Sequence, residues 1–400
     1  MVIGGASKFD RIRAALPEIQ ATLKEHGLDG WLLYDLHARN TAASGLLELG
    51  DLSRRYFVLI PSEGEPRAIT HGIEQGPWLA WPWHQESYVS WRSLDELLRR
   101  LLSGRSRIAM EFSPQDAVPA CDLVPAGVVD MIRAAGGEIT SSGDLISRFH
   151  SRWTATQLEA HRRAAETLAQ VADSSFMWLH ERLANGVATA ERDFHEHVVG
   201  AIRARGFSGE GCISATARSA SNPHHDSIES DVRFSPGDVV LLDLWCKESD
   251  DAVYADQTWM ACMGSGVPDR AAELFAIVCA ARDAAVEFLI AAWKNGRAVR
   301  GHEIDDATRG VIERAGFGQY FIHRTGHSID TAIHGMGPNI DNLETHETRV
   351  LIPGVGFSIE PGIYIAGDIG VRSEINVYIG KDGPEVTPSR IQSSIRTCGV

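Results

Sequence analysis

The sequence predicts an α/β domain over residues 1–150, followed by an α+β domain over 151–400 built as a duplicated helix–helix–sheet unit. Strand-like and helix-like stretches alternate through the first domain. In the second, IRARGF at 202–207 is echoed by IERAGF at 312–317, each after a long helical run and a shorter one. Each of these repeats then leads into paired apolar strands carrying acidic residues.

Residues 9–27 read as a helix, because Phe9, Ile12, Leu16, Ile19 and Leu23 recur at helical spacing and Gly27 stops the run. GWLLYDL (30–36) and RYFVLIP (55–61) read as buried strands, with 40–52 as a polar, glycine-containing connection. A helix is expected at RSLDELLRRLLSG, a strand at RIAMEF, and a further helix over 122–136 that ends at Gly136-Gly137. Past residue 150, Thr156 with Glu159 reads as a capping box opening a long helix. That helix turns Leu158, Ala165, Leu168, Ala172, Phe176 and Leu179 inward, and a shorter helix follows over 191–205. The second copy places its helices at 268–294 and 302–315.

Composition bounds the function. With 400 residues, 44% hydrophobic and 23% charged, the chain is an ordinary globular protein with material for a sizeable core. A net charge of -15 argues against nucleic acid or an anionic membrane as partner. The six cysteines form no CxxC pair and read as small buried hydrophobes in a reducing setting. The opening MVIGGASKFDRIRAAL has no apolar core of an export signal, so a cytoplasmic location is expected.

The chemistry concentrates in two hairpins. VVLLDLWC and AVYADQTWM flank a turn at Glu248-Ser249-Asp250-Asp251. Centred between Ser249 and Asp250, that turn sets Asp243 opposite Asp256, about 5 Å apart at Cβ, where like charges repel. A cation between them would resolve the repulsion; the alternative is an edge hairpin with both carboxylates in solvent. GFSIEPGIYI (356–365) and GVRSEINVYI (370–379) form the second hairpin. Centred on Gly367, it sets Glu360 opposite Glu374, and Pro361 marks a strand irregularity beside Glu360. Two hairpins with opposed acid pairs are hard to read as surface charge. Between them lie His323, His327 and His334 among glycines, and His224-His225 follows Asn222-Pro223 in a loop-like stretch. One imidazole with four carboxylates is a hard, mainly oxygen ligand set, suited to Mn²⁺, Co²⁺, Fe²⁺ or Zn²⁺ in a two-metal site.

These residues resemble the pita-bread metallopeptidases: aminopeptidase P, prolidase, methionine aminopeptidase and non-peptidase relatives such as creatinase. Asp243 sits in a Val-Asp-hydrophobic type of strand, and Asp256 with Thr258 fits Tyr-x-x-Asp-x-Thr. His323, Gly326, His327 and His334 match His-x-x-Gly-His…His. Glu360-Pro361-Gly362 matches Glu-Pro-Gly, Gly370, Arg372 and Glu374 match Gly-x-Arg-x-Glu, and Asn222-Pro223-His224 matches Asn-Pro-His. Motif matches run from about residue 150 to 390, and the first domain looks like that of the prolidase and creatinase branch. Two departures stand out: Trp245 where relatives often carry glycine, and Asp330 where the histidine motif commonly has glycine.

The resemblance implies a pita-bread fold and a dinuclear Xaa-Pro aminopeptidase or dipeptidase, with manganese the best activator. It assigns Asp243 to one metal, Asp256 and Glu374 to both, and His327 and Glu360 to the other. A bridging hydroxide attacks the scissile carbonyl, Glu360 carries its proton to the leaving amine, and His334 and His224 donate to the carbonyl oxygen. Arg372 either holds the carboxylates in position or forms a buried structural salt bridge. Asp330 either binds a substrate cation or caps a turn. The substrate is a small peptide or small molecule, and a homodimer is expected. The alternatives are a lyase or amidohydrolase on a small metabolite such as dimethylsulfoniopropionate, and a non-catalytic binding protein. Retention of all five ligands weighs against the binding protein.

Overall fold

A computed structural model describes residues 8–399. Residues 1–7, part of the stretch read above for an export signal, and residue 400 lie outside that description. The chain divides into two compact units, Met1–His150 and Ser151–Val400.

The first unit runs α1 (Asp10–Glu25), β1 (Gly30–Asp35), α2 (Thr41–Leu47), β2 (Tyr56–Pro61), β3 (Arg67–His71) and β4 (His84–Tyr88). It continues with α3 (Trp91–Leu102), β5 (Arg107–Met110), α4 (Ala126–Ala134), β6 (Glu138–Ser141) and α5 (Gly143–Phe149). The strands form one six-stranded sheet in the order β4-β3-β2-β1-β5-β6. Helices cover both faces, which is why β1 and β2 read as unbroken apolar runs. Alternation along β1 sends Trp31 and Leu33 to the core under α1 and α2, and Leu32 and Tyr34 to the core under α3 and α4. The expected connection over 40–52 contains α2 instead. Asn40 caps it by accepting from the Ala43 amide at 3.1 Å, while its own amide donates to buried Glu111 at 2.7 Å. Contacts from distant residues thus build a helix where the local composition reads as a loop. Strand β4 was not foreseen either, because HQESY has no apolar alternation and lies at the sheet edge.

The second unit begins with α6 (Ala155–Ala184), α7 (Glu191–Arg203), β7 (Cys212–Thr216), β8 (Val239–Cys246) and β9 (Ala255–Cys262). Its second copy comprises α8 (Asp269–Lys294), α9 (Gly301–Arg314), β10 (Ser328–Ile329), β11 (Gly356–Ile359) and β12 (Gly362–Ile365). It ends with β13 (Ile369–Arg372), β14 (Ile375–Gly380), β15 (Gly383–Thr387) and β16 (Arg396–Thr397). The helix–helix–sheet order occurs twice, as the sequence predicts. The capping box at the start of α6 is formed by Thr154 with Gln157, not by Thr156 with Glu159. Of the residues expected inward on α6, Ala165, Leu168, Ala172, Phe176 and Leu179 are buried and Leu158 is half-buried.

Strands β7, β8 and β9 form a sheet with β16 at its edge, in the order β16-β9-β8-β7. Val240, Leu242 and Leu244 point to α6 and α7, so the odd-numbered residues of β8 face the other way. The first hairpin differs from its expected register. Asp243 pairs with Thr258, and Asp256 pairs with Trp245. The connection is not a tight turn centred between Ser249 and Asp250. Lys247 donates to the carbonyl oxygens of Asp250 (3.2 Å) and Thr331 (2.9 Å), and the ladder resumes only at Ala255. A shift of two residues leaves every side chain on its original face. The two aspartates are therefore diagonal neighbours rather than directly opposed.

The second hairpin keeps its expected register but splits into two ladders, with Ile359 paired to Ile375 and Gly362 to Arg372. Pro361 has no N–H to give. The Glu360 amide instead donates to the Thr325 carbonyl at 2.7 Å, and Glu360 and Glu374 sit in the gap. Buried Asn376 on β14 joins this hairpin to the first: its Oδ1 accepts from the Asp256 amide at 3.0 Å and its Nδ2 donates to the Asp256 carbonyl at 2.7 Å. Asn376→Ala leaves two buried backbone groups unpaired, at a cost of about 2–5 kcal/mol. The expected outcome is a lower denaturation midpoint with an unchanged slope, measured by urea unfolding.

Candidate metal centre

The strand alternation that buries the core also builds a site. Asp243 and Trp245 on β8 share a face with Asp256 and Thr258 on β9. The gap in the second hairpin presents Glu360 and Glu374 to the same place. Asp243, Asp256, His327, Glu360 and Glu374 all line one cavity of about 320 Å³. Asp256, His327 and Glu374 each offer a ligand atom within 4.8 Å of the others. His327 Nε2 lies 3.5 Å from an Asp256 oxygen and 3.4 Å from Glu360 Oε1. Its Nδ1 faces the Ser328 carbonyl at 3.1 Å. That contact places the ring proton on Nδ1 and leaves the Nε2 lone pair for a cation.

Neighbours two residues along the strands hold the acids in place. Thr258 Oγ1 donates to Glu374 at 2.8 Å and accepts from Arg372 Nε at 2.8 Å. A second nitrogen of Arg372 bonds Asp243. Ser358 Oγ donates to Glu360 Oε1 at 3.0 Å and accepts from the His327 amide at 3.0 Å. Even so, Asp243 Oδ1 and Asp256 Oδ1 are buried without a hydrogen-bond partner among the described residues. Orphaned buried carboxylate oxygens are costly unless something cationic meets them. The donor set and these two oxygens fit divalent metal ions.

Burial and then repulsion from Asp256 and Glu360, against the pull of Arg372, push Asp243 up to about 8. Burial and repulsion from Asp256, Glu360 and Asp243 push Glu374 well above the usual range. Glu360 goes the other way: burial raises it, but His327, His323 and Arg372 together bring it below its ordinary value. His327 stays above its ordinary value despite desolvation, because Asp256 and Glu360 favour its charged form. His334 is lowered by burial and by His327.

The other residues predicted for the site are arranged around this cluster. His334 lines the cavity with its ring nearly perpendicular to His327, the centroids 4.5 Å apart. His224 lines it from the loop after Asn222. Arg372 also lines it, in the salt bridge with Asp243 already described. Asp330 stays outside, capping a turn by accepting from the amides of Ala332 (2.7 Å) and Met336 (3.0 Å). His323, lowered to about 4 by burial, bridges the Arg324 carbonyl (2.6 Å) and Tyr364 Oη (2.8 Å). Two motif glycines have steric reasons. A Cβ on Gly326 would lie 2.0 Å from the Ser358 carbonyl oxygen, and one on Gly370 would lie 1.9 Å from that of Ala220. Sequence reasoning missed the bridging roles of Thr258, Ser358 and Asn376. Each is two residues from a candidate ligand, so period-two spacing would have found it. It also missed Arg324 and Tyr364, which no local pattern marks.

The model of metallopeptidase family M24 matches residues 159–381. A probable dipeptidase PepE of Mycobacterium bovis is 28% identical over 271 residues, covering 67% of this chain and 65% of the relative. An Xaa-Pro dipeptidase of Lactobacillus delbrueckii subsp. lactis is 32% identical over 245 residues, 60% of each. The chain thus spans less than two thirds of the length of the curated relatives it matches first. The crystal structure of dipeptidase PepE from Mycobacterium ulcerans superposes with a TM-score of 0.70 at 21% identity, over 98% of this chain and 100% of that one. That likeness shows the pita-bread fold.

The crowded carboxylates make metal-free stability depend on pH. Asp243 and Glu374 hold protons in the folded state that the unfolded chain releases near pH 4. The folded state binds more protons between there and about pH 8, so stability falls as pH rises through that window. His327, raised when folded, adds loss in the same direction near neutrality, while His161, His323 and His334, lowered by burial, oppose it below about pH 6.5. In excess chelator the melting temperature should be lower at pH 8 than at about pH 7, where unfolded histidines are already largely neutral. Added Mn²⁺ should reverse the trend, because ligands bind in the charged form. A chelated protein that melts higher at pH 8 contradicts the crowding.

Proposed function

The chain belongs to metallopeptidase family M24, and from that membership we propose that it is a metal-dependent dipeptidase cleaving Xaa-Pro dipeptides. Two divalent ions, with Mn²⁺ favoured, would be held by Asp243, Asp256, His327, Glu360 and Glu374. The supporting observation is the convergence of these five residues on one cavity, with two carboxylate oxygens otherwise orphaned. When bound, such ions polarise the scissile carbonyl and lower the pKa of an attacking water.

Glu360 acts as the general base and returns the proton to the leaving amine. Its lowered pKa keeps it ionised, and Ser358 steadies one oxygen. His334, lowered and therefore neutral, donates to the carbonyl oxygen as charge develops there, together with His224. Arg372 positions Asp243 and, through Thr258, Glu374. Arg324 also lines the cavity, and its guanidinium has no partner among the described residues. A carboxylate one residue beyond the scissile bond would satisfy it, which favours dipeptides over longer peptides. Residues 1–150 form the creatinase- and prolidase-like first domain in this reading. A homodimer and a cytoplasmic setting complete it. Among the described residues, no helix is long and apolar enough to cross a membrane.

The purified protein should carry about two metal equivalents per chain. Glu360→Gln should lower kcat by about 10²–10⁴-fold. Arg324→Met should raise KM for Leu-Pro at least tenfold, on the order of one charged hydrogen bond, and leave that for Leu-Pro amide nearly unchanged. Metal analysis and a dipeptide panel check these outcomes. A protein that never exceeds one equivalent contradicts the dinuclear site, and equal cleavage of the acid and the amide contradicts the dipeptidase reading.

A further inference from the structure

Four apolar residues line the cavity, Ile213, Pro223, Trp245 and Ile333, and the indole is the largest of them. Trp245, paired directly across the ladder from Asp256 and two residues beyond Asp243, stands against the proposed metal ligands. Ile333 continues its surface into the cavity. Both pack on one apolar cluster containing Tyr254 and Ile329, which anchors them from behind. The indole passes close over Gly211, where a Cβ would lie 3.2 Å from its Cζ2. This wall is therefore an apolar surface, backed by packing, beside the proposed metal ligands.

The chemistry decides which part of a dipeptide meets it. Glu360 returns its proton to the leaving amine, so the leaving residue lies at the Glu360 end. Arg324 belongs to that end, since its charge acts on Glu360, His327 and His334. The residue on the acyl side then lies over Asp243, whose face of β8 Trp245 shares two residues on. We propose that Trp245, with Ile333, forms the subsite for the side chain of the N-terminal residue, and selects substrates whose first residue is aliphatic or aromatic. This rests on the dipeptidase reading above and adds a specificity to it. A small residue at position 245 would leave the same space open and polar. The indole gives a bulky apolar side chain a surface against which to bury itself from water.

The test compares Leu-Pro with Gly-Pro in the metal-loaded full-length protein. The native enzyme should favour Leu-Pro by about tenfold or more in kcat/KM, the scale of a few methylenes in an apolar pocket. Trp245→Ala should lose most of that preference, with kcat/KM falling far more for Leu-Pro than for Gly-Pro, and Trp245→Phe should keep most of it. Bound metal per chain, measured alongside, should be the same in all three proteins. Calorimetric binding of the free amino acids leucine and glycine reads the subsite without turnover. Leucine should bind the native protein more tightly, and Trp245→Ala should erase the difference. Equal loss on both dipeptides, an unchanged preference in Trp245→Ala, or equal binding of leucine and glycine to the native protein would each overturn the subsite. If no Xaa-Pro dipeptide is cleaved but leucine binding depends on Trp245, the dipeptidase reading fails and the subsite stands.

Discussion

Arg372 bonds Asp243 with one nitrogen and Thr258 with another, and Thr258 passes that link on to Glu374. One buried cation thus connects β8, β9 and the broken hairpin, and it does so among four acids that repel one another. Without it, Asp243 would face burial and its neighbours with nothing opposing them, and the protonated form would dominate further. The two halves of the second unit are therefore joined across their sheets by charge and hydrogen bonds as well as by packing. Removing one partner of such a buried pair leaves the other charge uncompensated, which is the costly direction.

The backbone carries the same logic. Pro361 interrupts the second hairpin where Glu360 and Glu374 must turn inward, and the Glu360 amide finds the Thr325 carbonyl instead of a ladder partner. The histidine segment then packs so closely against β11 that only glycine fits at position 326. Asn376 replaces a missing strand with its side-chain amide, pairing both backbone groups of Asp256. Each of these is a local departure from regular sheet, and together they fix the directions of five ligand side chains. A rigid surround of this kind suits a site whose groups repel until a cation is present.

The cavity has a division of labour. Acids and histidines fill its centre, Arg324 adds a positive charge with no partner among the described residues, and Ile213, Pro223, Trp245 and Ile333 supply its apolar lining. Centre and rim reach the cavity by different routes. The acids sit on strands and at a strand break, where alternation aims them. Arg324 and Ile333 sit on irregular segments placed by long-range contacts, such as the 2.9 Å bond from the Arg324 amide to Glu344.

Much of this was legible in the sequence because strand periodicity is strict. Asp243 and Asp256 share a face whether the turn is centred one residue earlier or later, since a two-residue shift preserves the face. The duplication and the ligand motifs were readable for the same reason: they are local patterns of residue type and spacing. What the sequence could not decide depends on contacts between residues far apart in the chain. The true register of the first hairpin follows from Lys247 reaching Thr331, and helix α2 follows from Asn40 reaching Glu111. Asp330 shows that a short-range choice can also stay open. Its sequence position allowed either a pocket group or a turn cap, and only the approach of the Ala332 and Met336 amides made it a cap. Local chemistry determined which residues were candidates for the site; the long-range hydrogen bonds of the folded chain decided which of them face the cavity and what surrounds them.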